Sequence, residues 1–164
     1  MHIRIYLSIV LITFSGNYLL QAQSISASSL IKLAKGCNYE MTESYALKNG
    51  FKFSNVSNED GINEYTFTFY KYNTAKKKII YRISPDANNM SMIKYLTVFS
   101  EEYESLKSEI KELGYKYQTT KNTDLTVLNA YNKGKDTIFL MANKDSSFEL
   151  WYVYVAPSNN IINK

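Results

Sequence analysis

The stretch Asn49-Gly50-Phe51-Lys52-Phe53 is answered further along the chain by Leu113-Gly114-Tyr115-Lys116-Tyr117. In both, a glycine precedes aromatic, lysine, aromatic, and follows a run with helical spacing. Three more matches come downstream in the same order. Tyr72-Asn73-Thr74-Ala75-Lys76 parallels Tyr131-Asn132-Lys133-Gly134-Lys135. Ile79-Ile80-Tyr81 parallels Ile138-Phe139-Leu140, and Tyr95-Leu96-Thr97-Val98 parallels Tyr152-Val153-Tyr154-Val155. The separation falls from 64 residues to 59 and then 57, so loops differ in length while order is kept. Self-similarity of this kind marks a duplicated supersecondary unit.

The helix before the second glycine is the clearer one. Tyr103, Leu106, Ile110 and Leu113 recur three or four apart, with Glu104, Lys107, Ser108 and Lys111 on the other side. Ser100 is placed to cap its start, and Gly114 to end it in a left-handed turn. In the first unit Asn38 caps, Met41 and Tyr45 point inward, and Gly50 ends the helix. A short earlier helix fits Ser29 to Lys35. Extended segments follow each helix: 51–54, 64–73, 78–84 and 92–99, then 115–120, 125–132, 137–143 and 148–156. They are rich in β-branched and aromatic residues and separated by Asn, Asp, Gly and Lys turns. The expected fold is α+β, with two tandem helix–four-strand units forming one antiparallel sheet and helices on one face. The expected divisions are a signal peptide at 1–22, a first unit at 23–100, a second at 101–157 and a tail at 158–164.

This order of elements resembles the tandem helix–four-strand architecture of the bacterial β-lactamase-inhibitor proteins, and the saddle of the TATA-binding proteins. The resemblance covers most of the chain after the leader and is one of layout, not of motif. It implies the fold and carries over no functional residue. The inhibitor family is disulfide-bonded, which a chain with one cysteine cannot match internally.

Alternation along the strands assigns faces. Tyr65, Phe67 and Phe69 belong to the helix-covered core, with Thr126 and Leu128 as their mates. Ile79, Tyr81, Ile83, Ile138, Leu140 and Ala142 join them, as do Leu96, Val98, Trp151, Val153 and Val155. The opposite face then carries Tyr70, Tyr72, Arg82, Tyr95, Tyr131, Tyr152 and Tyr154, beside Thr66, Thr68, Ile80, Thr97 and Phe139. An uncovered antiparallel face is ordinarily polar. A Tyr-rich face with an arginine has the composition of a contact surface. These seven residues, Tyr70, Tyr72, Arg82, Tyr95, Tyr131, Tyr152 and Tyr154, are the candidate binding site.

The N-terminus reads Met1-His2-Ile3-Arg4, then an apolar run from Ile5 to Phe14, then Leu20-Gln21-Ala22-Gln23. A charged start, a short apolar stretch and a small residue at the junction are the signature of a secretory signal. The run is too short for a bilayer, which needs roughly 20 apolar residues. Cleavage after Ala22 leaves 142 of the 164 residues, enough for one domain, and lowers the net charge from +4 to +3. The expected location is therefore periplasmic or extracellular, without membrane insertion. Cys37, the only cysteine, follows Lys35-Gly36 and does not sit where a lipid-attachment cysteine should. It reads as a small semi-buried residue near a helix start, with an intermolecular disulfide as the alternative.

His2 is the only histidine and leaves with the leader. That removes Ser-His-Asp and Cys-His catalysis and every imidazole zinc site. One cysteine builds no thiolate zinc site. No metal or cofactor is expected, although an oxygen-only calcium site stays compatible with the Asp- and Asn-rich turns. Of the acids, Glu59-Asp60-Gly61 reads as a turn, and Glu101, Glu102 and Glu104 read as the solvated first turn of a helix. Lys76-Lys77-Lys78 falls where the pattern puts a hairpin turn, a solvated loop and not a nucleic-acid stripe. The expectation is a non-enzymatic, exported protein-interaction module of inhibitor or envelope-accessory type, with no nucleic-acid partner. The alternative is a glycan-binding module or small carboxylate-dependent glycosidase, with tyrosines stacking on sugar rings. Asn129 is the one amide expected beside them, which favours a protein partner.

Overall fold

A computed structural model describes residues 24–36, 38–84, 90–143 and 151–156. The leader, Cys37, the segment 148–150 and the 158–164 tail lie outside the described residues. Among those described there are three helices and eight strands, an α+β mix that is mostly sheet. The helices are α1 (Ala27–Gly36), α2 (Tyr39–Lys48) and α3 (Ser100–Glu112). The strands are β1 (Lys52–Glu59), β2 (Ile62–Lys71), β3 (Thr74–Ser84), β4 (Met90–Thr97), β5 (Lys116–Asn122), β6 (Thr126–Lys133), β7 (Asp136–Asn143) and β8 (Trp151–Ala156). All pair antiparallel in one open sheet of order β1-β2-β3-β4-β8-β7-β6-β5, with β1 and β5 at its edges.

Local chemistry explains the element boundaries. Gly50 and Gly114 take φ of +81° and +85°, where a side chain is strained. Past each glycine the chain folds back identically. Phe51 N donates to Ala46 O at 3.0 Å and Tyr115 N to Ile110 O at 3.2 Å, satisfying carbonyls that the helix end leaves open. Asn38 caps α2 by accepting from Met41 N at 3.0 Å. Thr42 and Ala46, not Met41 and Tyr45, fill the fully buried positions of α2; the latter two pack only partly. Ser100 does not cap α3. Phe99 holds that position, and its N–H donates to Thr97 Oγ1 at 3.1 Å. Asp60 and Gly61, with φ of 52° and 74°, join β1 to β2. Positive φ at both central residues is what strand twist demands of a two-residue hairpin. Tyr72 and Asn73, with φ of 53° and 59°, make the same kind of turn between β2 and β3. The turn therefore comes before the lysines, and Lys76-Lys77-Lys78 is part of β3 rather than a solvated loop.

Two ladder rows, each crossing all eight strands, form the sheet's share of the core. One runs Phe53–Phe67–Ile79–Tyr95–Val153–Leu140–Asn129–Thr120. The other runs Val56–Tyr65–Tyr81–Ile93–Val155–Ile138–Tyr131–Tyr117. Leu30, Leu33 and Ala34 of α1 and Tyr103, Leu106 and Ile110 of α3 close the same cluster. Helix α1 packs on β4, β8 and α3, while α2 packs on β1 and β3. Each fully buried Ile, Leu or Phe here stabilises by roughly 1.5–3 kcal/mol over leaving it exposed. The sequence pattern hints at α1 only as a short possibility, yet its ten residues supply four buried side chains at the centre of the sheet.

Candidate functional site

The seven candidate residues do not share one surface. Tyr95 and Tyr131 are core residues, 0% and 4% exposed. Tyr95 lies between Ile79 and Val153 on the flanking strands, and Tyr131 between Tyr117 and Ile138. Tyr72 is not in a strand at all; it tips the β2–β3 turn at 89% exposure. Tyr70 is exposed at the end of β2. Arg82 and Tyr154 have the parity opposite to the core rows. Tyr152 pairs with Leu96 and Met141, and its side chain lies outside the described residues.

Alternation explains the two misplaced tyrosines. The outward expectation for Tyr131 rests on matching it with Tyr72, 59 residues earlier. In the ladder, Tyr131 faces Tyr117 just before a register shift between Tyr117 and Thr119, and Phe67 faces Phe53 just before one between Phe53 and Asn55. Tyr131 therefore corresponds to Phe67, at a separation of 64. The difference of five is odd, and an odd slip moves every side chain to the other face. Tyr95 corresponds in the same way to Val155 and not to Tyr152, a slip of three. The same inversions turn Leu96, Thr126 and Leu128 outward and bring Thr97 and Asn129 inward. Asn129 accepts from Thr120 Oγ1 at 2.7 Å, so the amide expected beside a sugar site belongs to the inner row.

Outward positions form their own continuous rows. One is Asn55–Thr66–Ile80–Lys94–Tyr154–Phe139–Ala130–Thr119, crossing every strand. Beside it runs Lys52–Thr68–Lys78–Leu96–Tyr152–Met141–Leu128–Lys121. Leu96, Leu128, Phe139, Met141 and Tyr154 are all half-buried, and Ile80 nearly buried. The Lys94 ammonium stands 5.6 Å from the Tyr154 ring centre, a cation–π distance. Arg82 Nε is 3.1 Å from Glu64 Oε1, an ion pair without the angle of a full hydrogen bond.

A second constellation escapes sequence reasoning entirely. Glu102, 9% exposed, accepts from Lys77 Nζ at 2.7 Å, Thr97 Oγ1 at 2.7 Å and Ile25 N at 3.3 Å. Lys77 is 6% exposed and also stands 5.5 Å from the Phe99 ring centre. One turn further along α3, Glu109 accepts from Ala27 N at 2.7 Å and Ser28 N at 3.1 Å. A carboxylate at a helix N-terminus satisfies its free amides and complements its dipole. The two acids thus tie the start of α1 to α3. Glu102, expected on a solvated helix face, is instead an internal anion. The nearby Tyr95 hydroxyl has no hydrogen-bond partner, and burial, then the charge of Glu102, pushes its ionisation far upward. Burial likewise raises Tyr103, to about 12, and shifts Tyr115 upward.

Comparison with protein-family models, with curated proteins and with solved structures finds no match to this chain. Function therefore rests on the chain's own geometry. Among the described residues, no group of three or more His, Cys, Asp or Glu could hold a metal ion. No helix among them is long and apolar enough to cross a membrane. A cleft of about 220 Å³ beside α1 and α2, lined by Ser29, Lys32, Leu33, Met41 and Tyr45, offers one ammonium and no carboxylate.

Proposed function

We propose that this chain is an exported, non-enzymatic protein-interaction module that binds its partner on the outward face of its sheet. In this reading it is a duplicated helix–four-strand unit whose helices all lie on the inward side, the layout of the β-lactamase-inhibitor proteins. Matching glycine turns and matching register shifts, each 64 residues apart, support the duplication. The charged, apolar and small-residue order of segment 1–22 supports export.

One observation carries the functional reading. Aromatic and aliphatic side chains run across the outward positions of the central strands, at Ile80, Leu96, Tyr154, Phe139, Met141 and Leu128. Yet the core is already complete in the two inward rows. A half-solvated antiparallel face needs none of these residues for folding. Contiguous apolar surface of this kind marks interaction sites. Two of the buried acids that a carboxylate enzyme would draw on, Glu102 and Glu109, are instead committed to α1 amides and to Lys77.

Site-specific photocrosslinking in the producing cells tests the proposal. A benzophenone side chain at Phe139 should give a discrete protein adduct, and one at Lys111 on α3 should not. No adduct from Phe139, or the same adduct from both sites, would remove the outward face as the binding surface.

A further inference from the structure

We infer that the partner presents an acidic contact surface, with aspartate or glutamate around an apolar centre. The inference rests on the reading of the outward sheet face as the binding surface. Charge in this molecule is sorted by side. Outward positions hold six cations: Lys52, Lys78, Arg82, Lys94, Lys116 and Lys121. Against them stand Glu59 and Glu64, and Glu64 is already taken by Arg82. The helices have the opposite balance, with seven glutamates against five lysines. The chain as a whole carries only +4, so its average charge does not explain the outward excess.

Position sharpens the argument. In one ladder row, Lys52 on β1, Lys78 on β3 and Lys121 on β5 bracket Leu96, Met141 and Leu128. None of Lys52, Lys78, Lys116 and Lys121 has a carboxylate partner among the described residues. Like charges gathered on one sheet face do not stabilise it. Their gain comes when opposite charge arrives, through faster encounter and rejection of wrong partners. Seven strand spacings of ~4.8 Å make the face about 34 Å wide, the scale of a standard protein interface. The chemistry favours protein over the other polyanions. The bracketed centre is aliphatic, whereas single-stranded nucleic acid is held on stacking rings. Its side chains are half-buried among the lysines, whereas a lipid surface is entered by apolar groups that project.

The test is selection of a random displayed-peptide library on the folded protein, followed by affinity measurement of the winners. Enriched peptides should combine Asp or Glu with aliphatic or aromatic residues. Their affinity should fall roughly tenfold or more in the double variant K78E/K121E, and weaken with added salt. Phe139→Ala should weaken them as well. Thermal unfolding checks that the variants are folded, and K78A/K121A replaces the charge reversal if that variant is not. Neutral or basic winners that still weaken with Phe139→Ala would sink the acidic-partner inference while leaving the binding face standing. Winners indifferent to both changes would sink the face and the inference together, as would failure to enrich any peptide. An oligonucleotide or phosphatidylglycerol vesicles binding more tightly than every enriched peptide would overturn the inference in favour of those polyanions.

Discussion

Replacing Glu102 with Gln keeps the side chain's shape and removes its charge. The carboxylate takes three hydrogen bonds, from Lys77, Thr97 and Ile25, and none of the groups around it is exposed enough for water to take its place. The amide oxygen of Gln can still accept one or two of these bonds, but nothing then balances the ammonium of Lys77 at 6% exposure. Breaking a buried pair from one side destabilises by roughly 3–5 kcal/mol. A domain of this size has a total stability of roughly 5–15 kcal/mol. The loss should therefore move a urea midpoint by roughly 1–3 M at a slope of ~2 kcal/mol per M. Removing the charge from both partners, in Lys77→Met/Glu102→Gln, should recover most of the loss, because no unpaired ion remains. Urea unfolding of the four proteins, followed by far-ultraviolet circular dichroism, completes the cycle. If Glu102→Gln costs less than about 1 kcal/mol, or the double variant is as weak as the sum of the singles, the buried-pair argument fails.

Gly50→Val and Gly114→Val should each destabilise by roughly 1–2 kcal/mol, since both glycines hold positive φ; chemical denaturation measures it, and a neutral result at either site would contradict the helix-end geometry. Alkaline titration should split the tyrosines into two classes by phenolate absorbance, with Tyr72 ionising early and Tyr95, Tyr103 and Tyr115 late. The folded pKa of Tyr103 lies above the ordinary 10, at about 12. Its contribution to stability is thus intact below pH 10 and is lost as pH rises through about 12. Lys35→Met should cost under about 1 kcal/mol although Lys35 Nζ stands 2.6 Å from Asp136, because that lysine is more than half exposed.

Much of the architecture is legible in the sequence, because it is written in local chemistry. The recurring glycine followed by aromatic-Lys-aromatic marks two helix ends, and Asn38 announces its cap. Face assignment is legible only while the count along a strand is unbroken. It holds for Phe67, Ile79, Tyr81, Ile138 and Leu140, and fails at Tyr95 and Tyr131. The register shifts at Ser54, Lys76 and Gln118 leave no mark stronger than an ordinary polar residue. Lys77 and Glu102 are hidden for a different reason. Each looks like a surface residue within its own element, and only the packing of α3 against β3 and β4 brings opposite charges together. Strand Tyr and Thr residues also mislead, because they suit a buried or an exposed position equally well.

The central claim is that inward rows fold the protein while the outward row binds. It is tested most directly by measuring stability and partner affinity together in four alanine variants, using the protein captured by crosslinking. Phe67→Ala and Tyr131→Ala should destabilise by roughly 3–5 kcal/mol, since both rings are buried. Phe139→Ala and Tyr154→Ala should lose less than about 1.5 kcal/mol of stability and weaken binding by roughly 1–4 kcal/mol. Outward variants that unfold the domain yet bind normally when folded would contradict the account.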